Sequence, residues 1–130
     1  MDQLELTTVL PISPSDAYHD WLSSEKHTVF TGAVATIQNL VGSDFSAWDG
    51  YITGKIKEVV DGKYCVMSWR TLEFPEGADD SMVRVIFTEV TEGCMLTLQQ
   101  TKIPAGDGQK YADGWKSYYF QPMQKYYAKK

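Results

Sequence analysis

Three features of the sequence predict an α+β fold. β-rich runs separated by turn residues fill the middle of the chain, from Phe45 to Ile103. Two of the intervening turns are short enough to close hairpins, Asp61-Gly62 and Thr91-Glu92-Gly93. Helical patterns flank this meander on both sides, and the C-terminal one carries rings at spacings of three and four. Helices outside a run of antiparallel strands mark α+β rather than alternating α/β. With 130 residues, a single domain spanning 1–130 is expected. That length can bury a core without staples.

Leu4 to Leu10 sets Leu4, Leu6 and Thr8 against Glu5, Thr7 and Val9, which is the period of a strand. Ser13 then offers an N-cap, Pro14 suits the first helical position and Asp16 falls three past the cap. The helix that follows gathers Ala17, Tyr18, Trp21 and Leu22 on one stripe. A second short helix is expected to start near Ser24 and to end at Gly32. Phe45–Trp48 predicts a short strand closed by Asp49-Gly50. Tyr51–Val60 and Lys63–Leu72 pair across Asp61-Gly62, a dipeptide that suits a type I′ turn. A loop with Pro75 and Gly77 leads to the second hairpin, Ser81–Val90 with Cys94–Ile103. The stretch from Pro104 to Gly108 breaks the pattern, and Gln109–Lys130 is predicted as one long helix. Its inner face is expected to carry Tyr111, Trp115, Tyr118, Pro122 and Tyr126, with a kink at Pro122.

Alternation decides which side chains of the sheet point inward. The expected lining of the core, or of a cavity between sheet and helix, is Ile52, Ile56, Cys65, Met67 and Trp69 from the first hairpin. Val85, Phe87, Leu96 and Leu98 join from the second, and Trp115 and Tyr118 from the helix. Arg70 takes the opposite face from Trp69, so the two are not one site; a solvated or surface-paired Arg70 is expected. Glu58 shares the inward parity of Ile52 and Ile56; it could be an acid in a cavity, but a position past the edge of the covered zone, or a bulge that turns it out, is the favoured expectation.

Composition narrows the function. A net charge of −5, with no Lys/Arg cluster, argues against a nucleic-acid partner, which needs a cationic face. No apolar run reaches the ~18 residues of a membrane helix, and no signal-peptide pattern opens the chain. A cytoplasmic protein is expected. Cys65 and Cys94 lie in apolar runs and predict two buried free thiols. His19 and His27 are not joined by further ligands at metal spacing, so neither metal nor cofactor is expected. No Gly-rich phosphate loop occurs, and no nucleophile stands beside a base with a third group to orient it.

One resemblance covers most of the chain from Phe45 onward. Trp48-Asp49-Gly50-Tyr51-Ile52-Thr53-Gly54 is similar to a motif in the C-terminal domain of the activators of the heat-shock-protein-90 ATPase. Val66-Met67-Ser68-Trp69-Arg70, Phe74-Pro75-Glu76-Gly77, Lys102-Ile103-Pro104 and Gly114-Trp115-Lys116-Ser117-Tyr118-Tyr119-Phe120 continue the likeness in family order and spacing. The resemblance implies a START-like helix-grip fold: a curved antiparallel sheet of about six strands wrapped around a long C-terminal helix, with two short helices after the first strand. It also implies a heat-shock-protein-90-type chaperone as a partner. In eukaryotic activators a preceding domain carries the main grip on the chaperone and an Asn-Asn-Trp-His-Trp motif, which this sequence lacks.

The leading functional expectation is a non-catalytic, chaperone-cofactor-like binding module. The alternatives are a carrier of a small hydrophobic ligand between sheet and helix, and a cyclase- or hydrolase-like enzyme of the same superfamily. Fold alone does not choose among them; the size and polarity of any cavity does.

Overall fold

Turn and cap residues close the chain into one six-stranded antiparallel sheet with helices against one face. The computed structural model describes residues 1–129. The elements run β1 (Asp2–Leu10), α1 (Pro14–Trp21), α2 (Ser24–Thr31), β2 (Asp44–Ala47), β3 (Ile52–Val60), β4 (Tyr64–Thr71), β5 (Ser81–Val90), β6 (Gly93–Ile103), α3 (Gly108–Trp115) and α4 (Gln121–Ala128). Strand order is β1-β6-β5-β4-β3-β2, so only β1 reaches its place by a non-sequential pairing, with Leu6 opposite Leu98. Ser13 Oγ accepts from Asp16 N at 3.0 Å and caps α1, while Ser23 caps α2 and Gly32, at φ +84°, ends it.

The inward parity follows the alternation. Ile52, Ile56, Cys65, Met67, Trp69, Val85, Phe87, Leu96 and Leu98 are all buried, joined by Trp21, Tyr18 and Phe30 from the two short helices. Cys65 and Cys94 are free, buried thiols. Burial pushes the Cys65 thiol up to about 12, so it stays protonated. Glu58 is turned out by a register shift between Ile56 and Glu58, and its carboxylate accepts from the Tyr64 hydroxyl on the surface.

The first hairpin turn differs from the expected type I′. That turn needs positive φ at both central residues, and here only Gly62 has it, at +74°. Lys63 N–H donates to Val60 O at 2.9 Å, and Val60 pairs with Tyr64. A positive φ confined to the third position is the type II pattern. Asp61 is thereby free to hold the first helix: it accepts from His19 Nε2 at 3.0 Å.

The C-terminal helix also differs. Its backbone stays right-handed from α3 to α4, but Lys116–Phe120 forms a π turn. The π turn closes just before Pro122, whose ring would strike the Tyr118 carbonyl in an uninterrupted α-helix and whose missing N–H breaks the ladder. A widened turn thus stands just before the position of the expected kink. One extra residue shifts the inner face after Trp115: Tyr119, Met123 and Tyr127 are buried in place of Tyr118, Pro122 and Tyr126. Tyr118 does not belong to the core; it is 58% exposed. The expected helix end at Lys130 lies outside the described residues.

Candidate functional site: an aromatic cleft

The end of the sheet carrying Trp69 and the first two turns of the C-terminal helix do not close completely. They leave a cleft of about 370 Å³. Ile52 and Trp69 form its sheet wall, while Tyr111, Trp115 and Tyr119 form its helix wall. Trp48 and Tyr51 reach it from the turn between β2 and β3, and Tyr118 stands at its exposed edge. Gly114, Glu73 and Lys110 complete the lining.

Ring geometry sets the walls. Trp69 meets Trp115 at 5.4 Å between centroids and Tyr111 edge-on at 5.3 Å; Trp115 meets Tyr119 at 4.9 Å. Polar tips fix Trp115, Tyr111 and Tyr119, whereas the buried Trp48 Nε1 has no hydrogen-bond partner among the described residues. Trp115 Nε1 donates to Gln100 Oε1 at 2.8 Å, Gln100 Nε2 donates to Ser81 Oγ at 3.0 Å, and Ser81 Oγ donates to the Trp69 carbonyl at 2.7 Å. Gln100 is fully buried, so this chain of bonds satisfies groups that water cannot reach. The Tyr111 hydroxyl bonds Thr71 Oγ1 at 2.7 Å. Behind the wall, the Tyr119 hydroxyl meets His27 Nε2 at 2.7 Å.

The charged rim is self-contained. Glu73 accepts from the Tyr51 hydroxyl and from Lys110 Nζ at 2.9 Å. The Tyr51 bond, then Lys110, holds the Glu73 carboxyl below its usual range. Burial, then Glu73, pushes Tyr51 up to about 12. The bond to Glu73 raises Lys110. Arg70, on the outer face as expected, positions this rim: its Nη1 bonds the Ala78 carbonyl and Asp80 Oδ1, both at 2.8 Å, and ties down the loop after β4.

Of the residues expected from the sequence, Ile52, Trp69, Trp115 and Tyr118 line the cleft. Ile56, Cys65, Met67, Val85, Phe87, Leu96 and Leu98 lie elsewhere in the core. Sequence reasoning missed Trp48, Tyr51, Glu73, Lys110, Gly114 and Tyr119 as lining, and placed Tyr111 only on the inner face of the helix. The run Trp48-Asp49-Gly50-Tyr51 carried the one available signal, because it places two large rings in a turn. Among the described residues, no group of three His, Cys, Asp or Glu side chains is placed to hold a metal ion, and no helix is long and apolar enough to cross a membrane.

The family model for Activator of Hsp90 ATPase homolog 1-like protein matches residues 11–128. The activator of 90 kDa heat shock protein ATPase homolog 1 from Homo sapiens is 30% identical over 109 residues, which is 84% of this chain and 32% of that protein. The Dictyostelium discoideum homologue is 33% identical over 116 residues, or 87% of this chain and 30% of that protein. The chain therefore spans about a third of the length of these relatives. Among solved structures, an Hsp90 activator from Plasmodium falciparum superposes with a TM-score of 0.79 at 24% identity, covering 92% of this chain and 90% of the other. The Aha1 dimer from Colwellia psychrerythraea gives 0.79 at 11% identity, over 98% and 96%. These structural likenesses carry the START-like fold.

Proposed function

This chain belongs to the family of Activator of Hsp90 ATPase homolog 1-like proteins, and on that premise we propose that it is a non-catalytic binding module, a cofactor-like partner of an Hsp90-type chaperone that works through the aromatic cleft. The observation that carries this reading is the lining of the cleft, walled by the rings of Trp48, Trp69, Tyr111, Trp115 and Tyr119 with the paired Glu73 and Lys110 at its rim. General acid–base work needs a group whose pKa sits near the working pH. Here Glu73 moves down while Lys110 and Tyr51 move up, each away from neutrality. Glu73 pairs with both Tyr51 and Lys110 at the rim. His27, behind the wall, is sealed between the Trp21 carbonyl and the Tyr119 hydroxyl, and His19 is bound to Asp61. What the cleft offers is apolar ring surface, which is a binding chemistry.

A second reading, the carrier of a small hydrophobic ligand, is favoured by volume alone. The cleft of about 370 Å³ falls at the small end of the roughly 300–1,000 Å³ typical of ligand sites.

The test is calorimetric titration of the purified chain with an Hsp90-type chaperone from the same organism, with the ATPase rate followed in parallel. Saturable binding that Tyr118→Ala weakens about tenfold is expected. Absence of binding, together with an apolar molecule recovered by solvent extraction and mass spectrometry of the purified protein, would replace this reading with the carrier.

A further inference from the structure

We propose that the cleft is a docking site for one uncharged aromatic side chain of a partner protein, seated over the bare helix backbone at Gly114. The proposal rests on the reading of the chain as a protein-binding module and names what that module grips.

Gly114 is the first observation. It lies inside α3 with helical φ, and a Cβ built there meets nothing within 4 Å. Neither a left-handed dihedral nor a close neighbour calls for glycine. In a helix interior glycine is less stable than alanine, so its position against the cleft is what remains to explain it. A glycine lets another group approach the backbone closely, and Gly114 leaves the helix side of the cleft flat.

Trp48 is the second. Its φ is +53°, and Asp49 and Gly50 follow at +58° and +89°. A large L side chain in that region is an outlier that persists only where its surroundings impose it. The surroundings are specific: Asp49 N–H donates to Val34 O and Val34 N–H to Asp49 Oδ1, both at 3.0 Å, and Tyr51 N–H returns to Trp48 O at 3.0 Å. The strained turn brings the Trp48 ring to the cleft, 5.3 Å from Tyr118 and nearly perpendicular to it.

Exposed apolar surface is the third. Tyr118 is 58% exposed; Val34, bonded to the Trp48 turn, is 60% exposed; Leu72, bonded through its backbone to Tyr51, is 78% exposed. A carrier encloses its ligand. An apolar collar that continues outward from a cleft is what a macromolecular partner covers.

The lining selects the occupant's chemistry. The walls are rings, which pair best with another ring edge-on or offset. A cation would also be drawn to such rings, but Lys110 Nζ already lies over the Tyr111 ring at 5.0 Å and is matched by Glu73. A second cation would meet that charge without a free carboxylate to balance it. A neutral aromatic side chain fits both the walls and the rim.

The experiment uses the full chain, ¹⁵N-labelled, with its four indole N–H signals as reporters. Trp48, Trp69 and Trp115 line the cleft, and Trp21 does not. The probes are N-acetyl-tryptophanamide, N-acetyl-tyrosinamide, N-acetyl-leucinamide and tetramethylammonium. Saturable shifts of the three cleft indoles are expected, larger than that of Trp21, with the aromatic amides about fivefold tighter than the leucine amide. Gly114→Ala should raise the melting temperature by about 3 °C, as a helix glycine with open space at its Cβ does when replaced by alanine, and should weaken the aromatic amides about tenfold. Unchanged amide affinity in Gly114→Ala, a lowered melting temperature, no saturable shift up to the solubility limit, or tighter binding of the leucine amide or of tetramethylammonium would each overturn the proposal. No chaperone takes part in these titrations. Amide binding without chaperone binding refutes the chaperone alone, and chaperone binding indifferent to Gly114→Ala refutes the docking site alone.

Discussion

Acidification should destabilise this protein through His27. The ring is buried in α2, its Nδ1 lies 2.8 Å from the Trp21 carbonyl and its Nε2 lies 2.7 Å from the Tyr119 hydroxyl. A carbonyl only accepts, so Nδ1 carries the hydrogen, and Nε2 accepts from Tyr119 in the neutral imidazole. Protonating Nε2 would put a charge among Trp21, Phe30 and Tyr119, whose rings surround it at 5.2, 4.8 and 5.4 Å. Burial holds the pKa down, to about 4 from the usual 6.5, against the opposing bond to Trp21. Between these two values the unfolded chain binds the proton and the folded chain does not. Stability is therefore fully present above pH 6.5 and is lost as pH falls toward 4. The full loss is about 3 kcal/mol, of which about 2 kcal/mol is gone by pH 5. That is a large share of the roughly 5–15 kcal/mol of an ordinary domain. Urea titrations at pH 7 and pH 5, on the parent and on His27→Gln, isolate the contribution of this ring. His19 has the opposite sign: its slight burial is outweighed by the Ser15 carbonyl and the Asp61 carboxylate, and its pKa rises. It is present in both proteins and cancels in the comparison, as the carboxylates do. His27→Gln should be less stable at pH 7 by about 1–2 kcal/mol, through poorer hydrogen bonding. It should lose about 2 kcal/mol less than the parent between pH 7 and pH 5. Equal losses in the two proteins would refute the assignment of a buried, neutral His27.

Two further outcomes are expected. Gln100→Leu should cost about 2 kcal/mol in denaturant titration, because the Trp115 indole N–H is left buried without an acceptor; in a Trp115→Phe background the same change should cost about half as much or less, and an equal cost in both backgrounds would show that the bond carries no stability. Gly62→Val should lower stability by about 1–2 kcal/mol through its φ of +74° alone, since a Cβ there meets nothing within 4 Å; Gly62→Asn should cost less, and equal melting temperatures for parent and valine variant would show that the turn relaxes to another form.

Periods of two along strands and local turn chemistry were legible in the sequence because each is set by near neighbours. Ile52 and Ile56, Cys65 and Met67, and Leu96 and Leu98 could be placed inward from alternation alone. The outward turn of Glu58 was one of two outcomes expected for a charge on an apolar parity, and the bulge is the one found. The cleft was legible only in part. Its strongest walls, Trp69 and Trp115, followed from parity and helical spacing. Its rim did not, because Glu73, Lys110 and Tyr51 meet from three separate elements. Gln100 interrupts the apolar alternation of β6 without any local sign that Trp115 and Ser81 await it. His27 and Tyr119 are 92 residues apart. Pairings at that range depend on how elements dock, and periodicity carries no record of it.

The misplaced face of the last helix shows what holds helix and sheet in register. The buried rings Tyr111, Trp115, Tyr119 and Tyr127, with Met123, repeat every four residues. At 3.6 residues per turn such a repeat drifts by roughly 160° over its length, enough to carry Tyr127 to the solvent side. The single residue inserted by the π turn takes back roughly 100° of that drift. Apolar packing favours this phase, since one position over would present Lys110 and Gly114, or Ala112 and Lys116, in place of Tyr111 and Trp115. The polar tips also demand it. Thr71 from β4 meets Tyr111, Gln100 from β6 meets Trp115, His27 from α2 meets Tyr119, Thr8 from β1 meets Gln124, and Asp20 from α1 meets Tyr127. Each bond is directional, and those of Tyr111, Trp115 and Tyr119 are buried, so rotating the helix by one residue would orphan these polar groups at once, at a cost of about 1–3 kcal/mol each. The helix is thereby locked against five elements in a single rotational state. Because Tyr111, Trp115 and Tyr119 are also the helix wall of the cleft, the bonds that select this phase fix the orientation of that wall.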